Sequence, residues 1–236
     1  MTGPLGKKVD APSSFAPVIL FSISRDEQRY KKQLINQDGV DIWNIHELFW
    51  VDKKGHAYHD EVSIHIPAQS PNTVESKSLK LFINSLIHQR FVNLDDVKNV
   101  IKFHLERLLD AEISIGKVHK KVSTSHHQVI TNSELKLLFT TKGQTKLRGF
   151  RGFRSLCPVT SQPDIAEIFI DGNIHDKDLD LVSSYLGSFF KRECFHELCI
   201  EYIYSDLIKA GFDIKKVEGY FERRGGIAII PIRYSQ

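Results

Sequence analysis

Val62, Ile64 and Ile66 alternate with polar neighbours, the period of two that marks a half-buried strand. Residues 42–51, rich in aromatic and branched side chains, read as a preceding strand, with Lys53-Lys54-Gly55 as the turn between the two. The period then changes. Leu79, Phe82, Ile83, Leu86 and Ile87 recur at helical spacing, so a helix is expected from near Asn72 or Thr73, either of which can cap it. Asn93 or Asp96 caps a second helix that turns Val97, Ile101, Leu105 and Leu108 inward. Ile113 and Ile115 open another strand.

The second half repeats this order. Residues 156–159 and 165–170 read as strands, Leu179, Val182 and Leu186 as one helix, and Cys199, Ile203 and Leu207 as another. Residues 214–221 and 227–232 form a closing hairpin around Arg223-Arg224-Gly225-Gly226. Two ββαα-ββ units in one chain make an α+β protein with an internal duplication of architecture. The expected domains are 1–119 and 150–236, joined by a polar linker over 120–149. That linker holds Gln128-Val129-Ile130 and a run over 135–139 that can add a strand, and residues 1–40 wrap the first domain.

Composition narrows the class. The 236 residues are 41% hydrophobic and 26% charged, ordinary for a globular protein. A net charge of +3 without a long basic run does not argue for nucleic acid, so no direct nucleic-acid partner is expected. No apolar stretch approaches the roughly 20 residues that span a bilayer, and the first 15 residues lack the apolar core of a signal peptide. Three cysteines, an odd count, fit a reducing cytoplasm. The expectation is therefore a cytoplasmic protein with no membrane partner. Of the 11 histidines only His126 and His127 are adjacent, and no HExxH or paired CxxC occurs, so no metal is expected.

Four short segments carry candidate chemistry. Glu75-Ser76-Lys77-Ser78-Leu79-Lys80-Leu81-Phe82 sets a carboxylate, hydroxyls and two ammonium groups at the start of a helix. A helix N-terminus offers free N–H groups and partial positive charge, and Lys77 and Lys80 add to it, so an anion such as a phosphate suits this end. Cys157-Pro158-Val159-Thr160-Ser161-Gln162-Pro163-Asp164 holds a thiol and a carboxylate seven residues apart, each beside a proline that stiffens the connection. Asp164 can face Cys157 across that connection, which suits a nucleophile with an acid beside it. The plain alternatives are a buried structural thiol and a turn-forming Asp. Phe195-His196-Glu197 opens a later helix, where His196 reads equally as a core histidine. Arg223-Arg224-Gly225-Gly226 is a basic turn that lets backbone approach a phosphate closely, although Lys80 and Arg223 also read as solvated charges. No GxGxxG turn is present, which excludes a Rossmann cofactor site. Cys194 and Cys199 read as small buried hydrophobes.

In this order the four segments resemble the NADPH-dependent nitrile reductases of queuosine biosynthesis (QueF type), over roughly residues 41–233 and most weakly over 122–154. The resemblance is to the two-module branch, and it implies tandem tunnelling-fold (T-fold) domains, antiparallel sheets with paired helices on one face. It implies reduction of the deazapurine 7-cyano-7-deazaguanine to the aminomethyl compound with NADPH as cofactor. The implied catalytic residues are Cys157 and Asp164, and the implied substrate residues are Val74, Glu75, Ser76, His196 and Glu197. Ser76, Lys77, Arg224 and Gly225 are implied for the cofactor, and a homodimer for the assembly. A relative that adds ammonia to the nitrile keeps the cysteine without needing the cofactor motif. A non-catalytic binding module of this fold needs neither Cys157 nor Asp164, and zinc-dependent purine hydrolysis needs a ligand set that the chain does not offer. The cofactor motif lies in the first half and the nucleophile in the second, so a site using both is expected where two domains or two chains meet.

Overall fold

The computed structural model describes residues 3–4, 6, 8–30, 33–121, 136–142 and 145–235. The expected Gln128-Val129-Ile130 strand and the His126-His127 pair lie outside the described residues. The chain divides into two compact units, one made of residues 1–30, 42–119 and 223–228, the other of 31–41, 120–222 and 229–236.

In the first unit, β1 (Ser22–Ser24) leads into the one-turn helix α1 (Arg25–Arg29), capped by Ser24. Strands β2 (Asp38–Val51), which enters this unit at residue 42, and β3 (Ala57–Pro67) are joined by a tight turn. The Asp52 carboxylate closes that turn by accepting the N–H groups of Lys54 and His56, both at 2.8 Å. After β4 (Asn72–Val74) come helices α2 (Ser76–Ser85) and α3 (Leu94–Leu109) and strand β5 (Ser114–Gly116). The strand order is β5-β3-β2, with Ile115 opposite Ile64, while β4 pairs antiparallel with β1. Phe82 of α2 meets His104 of α3 edge-on at 5.7 Å.

Three helix details differ from the sequence expectation. Residues 72–74 are committed to the ladder with β1, so neither Asn72 nor Thr73 can cap, and the helix starts at Ser76 with Glu75 as its cap. In α3 the buried residues are Val97, Ile101, Leu105 and Leu109, because the stripe advances in steps of four and so reaches Leu109 rather than Leu108. Asn93 caps that helix, accepting the N–H of Asp96 at 3.0 Å. Beyond α2 the chain tightens into a 3₁₀ turn at Leu86–His88, which rotates Ile87 off the apolar face and leaves it 43% exposed.

The second unit contains β6 (Lys136–Lys142), β7 (Thr145–Leu156), β8 (Pro163–Asn173), α4 (Leu179–Gly187), α5 (His196–Lys209), β9 (Asp213–Phe221) and most of β10 (Ile227–Tyr234). Its strands run in the order β10-β9-β8-β7-β6, every neighbour antiparallel. Ala166, Ile168 and Ile170 of β8 and Val217 and Phe221 of β9 point to one face, where Val182 and Leu186 of α4 and Ile200, Ile203 and Leu207 of α5 cover them. Each such side chain contributes roughly 1.5–3 kcal/mol on burial. The strand expected over 156–159 stops at Leu156. Cys157 turns its N–H back to the carbonyl of Gln162 (2.9 Å), and Pro158 has no N–H to give a ladder.

A buried ion triad ties this unit together. The Arg233 guanidinium near the end of β10 donates to Asp41 at 2.7 Å, on the first residues of β2, and to Glu201 at 2.9 Å, on α5. None of the Arg233 side chain is exposed. Burial alone disfavours its charge, but the Asp41 and Glu201 carboxylates more than offset that and hold its pKa above the ordinary arginine value. Gly39 lies two residues before Asp41 because a Cβ there would meet the Ile232 carbonyl at 2.1 Å. The architecture is mixed α+β, antiparallel sheets with paired helices, in accord with tandem T-fold domains. Among the described residues no helix is long and apolar enough to cross a membrane.

Removing one member of the triad strands buried charge. Arg233→Met is expected to lower stability by about 3–5 kcal/mol in urea unfolding. Combining it with Asp41→Asn and Glu201→Gln should recover part of that loss. A loss below about 1 kcal/mol for Arg233→Met would show that the triad does not hold α5 to the sheet.

Candidate active site

The register of β7 and β8 decides where the nucleophile candidate sits. Leu156 faces Pro163 and Ser155 faces Asp164, so the six residues 157–162 form a hairpin loop just beyond the ladder. Residues on one strand alternate between faces, so Ser155 shares the face of Phe153, which is the helix-covered face, and Cys157 follows just beyond the strand's last residue. Asp164 shares that face with Ala166 by the same rule. The loop is held by Cys157 N–H to Gln162 O and Ser161 N–H to Cys157 O, both 2.9 Å. Ser161 takes a left-handed φ of 53°, and its hydroxyl donates to Glu193 at 3.1 Å.

The segment before α5 is stitched to the same strand end. Leu156 donates to the Arg192 carbonyl and accepts from the Cys194 N–H, each at 2.9 Å. The chain then reaches His196, the first residue of α5, whose Nε2 lies 3.3 Å from Asp164 Oδ1. The His196 ring packs against Phe221 with centroids 4.3 Å apart. Asp164 and the adjacent Glu197 are each 4% exposed. Cys157 is half-buried, whereas Cys194 and Cys199 are buried. Burial pushes the Cys199 thiol well above its ordinary pKa, which makes it inert. The second unit therefore gathers Cys157, Asp164, His196 and Glu197 around one strand end and one helix start.

The other candidates lie in the first unit. The Glu75 carboxylate is 2% exposed and accepts from the N–H groups of Lys77 (2.6 Å) and Ser78 (3.1 Å). It is thus the N-cap of α2. Val74 is buried in β4, opposite Ser22. Ser76 and Lys77 occupy the first turn of α2, half-buried, and Lys80 follows on the face of Lys77.

The basic turn comes to this helix. Arg224 and Ile227 exchange both backbone hydrogen bonds, with Gly225 at φ 55° and Gly226 at φ 84°. These angles mirror a type I turn, a geometry that glycine adopts without strain. A Cβ on Gly225 would lie 2.5 Å from Lys80 Nζ, so the ammonium rests directly on the turn. Arg223 is not a free solvated charge, since it pairs with Glu47 at 2.7 Å. The turn packs closely on β2 and α2, leaving a crevice of about 10 Å³ beside Ile45, Glu47 and Lys80. The Lys77–Lys80 spacing was the sequence signal for one cationic helix face. Glu47 had none, because its partner is 176 residues away.

This cradle fits a phosphate-bearing cofactor: a helix N-terminus, Lys77, Lys80 and Arg224, and a glycine turn without side-chain bulk. Among the described residues no group of three or more His, Cys, Asp and Glu side chains could hold a metal ion.

The family described as nitrile reductase, 7-cyano-7-deazaguanine-reductase N-term, matches residues 11–118, and the family described as QueF-like protein matches residues 163–236. An NADPH-dependent 7-cyano-7-deazaguanine reductase of Desulfotalea psychrophila is 34% identical, over 98% of this chain and 91% of that relative. The enzyme of the same name from Bordetella avium is 33% identical and that from Acinetobacter baylyi 31%, each over 98% of this chain and 92% of its own length.

The three thiols differ enough in exposure to be told apart chemically. Brief iodoacetamide treatment of the folded protein is expected to label Cys157 alone, read by peptide mass. Labelling of Cys194 or Cys199 at a comparable rate would contradict the burial described above.

Proposed function

The chain belongs to the 7-cyano-7-deazaguanine reductase family, and we propose from that membership which of its residues carry the reaction. The protein is an NADPH-dependent nitrile oxidoreductase that reduces 7-cyano-7-deazaguanine to 7-aminomethyl-7-deazaguanine through a cysteine thioimidate. Nitrile to amine is a four-electron reduction, so NADPH supplies hydride twice.

A nitrile carbon is a poor hydride acceptor by itself. Attack by the Cys157 thiolate forms a C–S bond and converts the C≡N group to a C=N group that accepts hydride more readily. The nitrile nitrogen gains a proton in that step, and Asp164 is its donor. His196, 3.3 Å from Asp164, is placed to return a proton to it. Once that C=N group has taken up one hydride and a proton, breaking the C–S bond returns the electron pair to sulfur, regenerates Cys157 and leaves an imine, which would accept the second hydride to give the amine. The observation that supports this reading is the approach of His196 to Asp164, 3.3 Å, at the base of the hairpin loop that begins with Cys157.

Recognition is assigned on the same footing. A carboxylate accepts two adjacent N–H donors, as on the guanine-like edge of the substrate, and this suits Glu197 and Glu75. Val74, Ser76 and His196 complete the substrate contacts. Ser76, Lys77, Arg224 and Gly225 hold the cofactor, with Lys77 and Arg224 meeting phosphate charge and the glycine backbone approaching closely. The assembly is assigned as a homodimer, since closed two-fold assemblies are the commonest.

Mixing the protein with the nitrile but no NADPH should add the substrate's mass to the Cys157 peptide. Cys157→Ala should take up none, and Asp164→Asn should slow both adduct formation and turnover by about 10²–10⁴-fold. An adduct on the Cys157→Ala protein, or unchanged turnover in Asp164→Asn, would overturn these roles.

Light scattering at assay concentrations should give twice the 27.1 kDa chain mass. A fully active monomer would refute the dimer.

A further inference from the structure

Glu47 is a carboxylate set among the cations of the cofactor cradle, and nothing in the reaction requires a negative charge there. Its Oε1 accepts from Arg223 Nη2 at 2.7 Å. The same carboxylate lies against Gly226, where a Cβ would come within 2.5 Å of Cδ and Oε2. The Gly226 carbonyl in turn accepts from the backbone N–H of His46 at 2.8 Å, one residue before Glu47 on β2. On the next residue, Gly225 faces the Lys80 ammonium. The turn is thus gripped at Arg223 and Gly226 by β2 and touched at Gly225 by α2.

We propose that Glu47 is a positioning residue for the cofactor. By pairing with Arg223 and abutting Gly226 it fixes the turn so that Arg224 and the Gly225 backbone meet the phosphate, and it withholds Arg223 from that role. The proposal rests on the assignment of Lys77 and Arg224 to NADPH. It has a sign that charge alone does not give. A carboxylate within a Debye length, about 8 Å at physiological salt, repels a phosphate, so deleting it should tighten NADPH binding if only charge mattered. If Glu47 positions the turn, deleting it weakens binding although the site becomes more positive.

The test is a set of variants on the full-length protein: Glu47→Ala, Glu47→Gln, Arg223→Ala, Glu47→Ala with Arg223→Ala, and the charge-swapped Glu47→Arg with Arg223→Glu. The readouts are the calorimetric Kd for NADP⁺, KM for NADPH, kcat, and adduct formation at Cys157 without cofactor. Glu47→Ala should raise Kd and KM by about tenfold, the scale of one lost charge-assisted contact, with kcat changed by no more than about twofold. Adduct formation should not change. Glu47→Gln, which keeps an acceptor without the charge, should fall between. The two alanine changes together should cost no more than one alone, and the swapped pair should recover part of the loss. An unchanged or lower Kd in Glu47→Ala overturns the proposal. Lys77→Ala and Arg224→Ala serve as the reference: if they leave Kd unchanged, the cofactor assignment itself has failed. If they raise it and Glu47→Ala does not, only the role of Glu47 is lost.

Discussion

A guanidinium with no exposed surface, held between two carboxylates, is the constraint on which the second unit turns. Arg233 joins the start of β2, the end of β10 and the middle of α5, elements more than 150 residues apart at their extremes. Taking three charges out of water is costly, and only the paired geometry offsets it. The arrangement therefore tolerates little displacement of any member. Glu201 sits five residues after His196 on the same helix, so fixing Glu201 against the sheet also fixes the helix start. That start is where His196 meets Asp164. A structural ion pair thus bears on the contact between His196 and Asp164.

Around Cys157 the restraints are of a different kind. The loop over 157–162 is short, carries a proline and a left-handed serine, and is bonded to itself and to Glu193. The backbone on its upstream side is stitched to the segment that leads into α5. Cys157 consequently has a defined place without being buried, as the role proposed for it requires if substrate is to reach it. Cys199 shows the opposite outcome on the same unit, a thiol whose burial disfavours the reactive thiolate. Two cysteines of one chain are separated in reactivity by solvent access.

Much of this was legible in the sequence where the signal is local. The alternation in β3, the stripes of α3 to α5 and the prolines beside Cys157 and Asp164 each depend on near neighbours. What escaped depends on distant ones. Asn72 and Thr73 are good caps by type, but the ladder with β1, some 50 residues earlier, claims them and hands the cap to Glu75. In its run of apolar neighbours Arg233 carries no mark of burial, because the carboxylates that make it tolerable lie 32 and 192 residues away. Glu47 is silent for the same reason. The motif residues were readable through the family resemblance, while the groups that hold them in place were not.

The two units solve different electrostatic problems. The cradle proposed for the cofactor in the first unit would attract an anion with helix N–H groups, Lys77, Lys80 and Arg224 rather than with a strongly basic chain, since the whole sequence carries only +3. Concentrating cations locally raises their mutual repulsion, which a nearby carboxylate relieves. Glu47 supplies one, and its pairing with Arg223 lets the turn carry two adjacent arginines while presenting Arg224 outward. The second unit instead keeps its charges inside. Asp164 and Glu197 lie almost wholly out of water, where hydrogen-bonding geometry decides more than net charge. On the roles proposed above, anion capture and proton transfer ask for opposite environments, and each falls to a separate core.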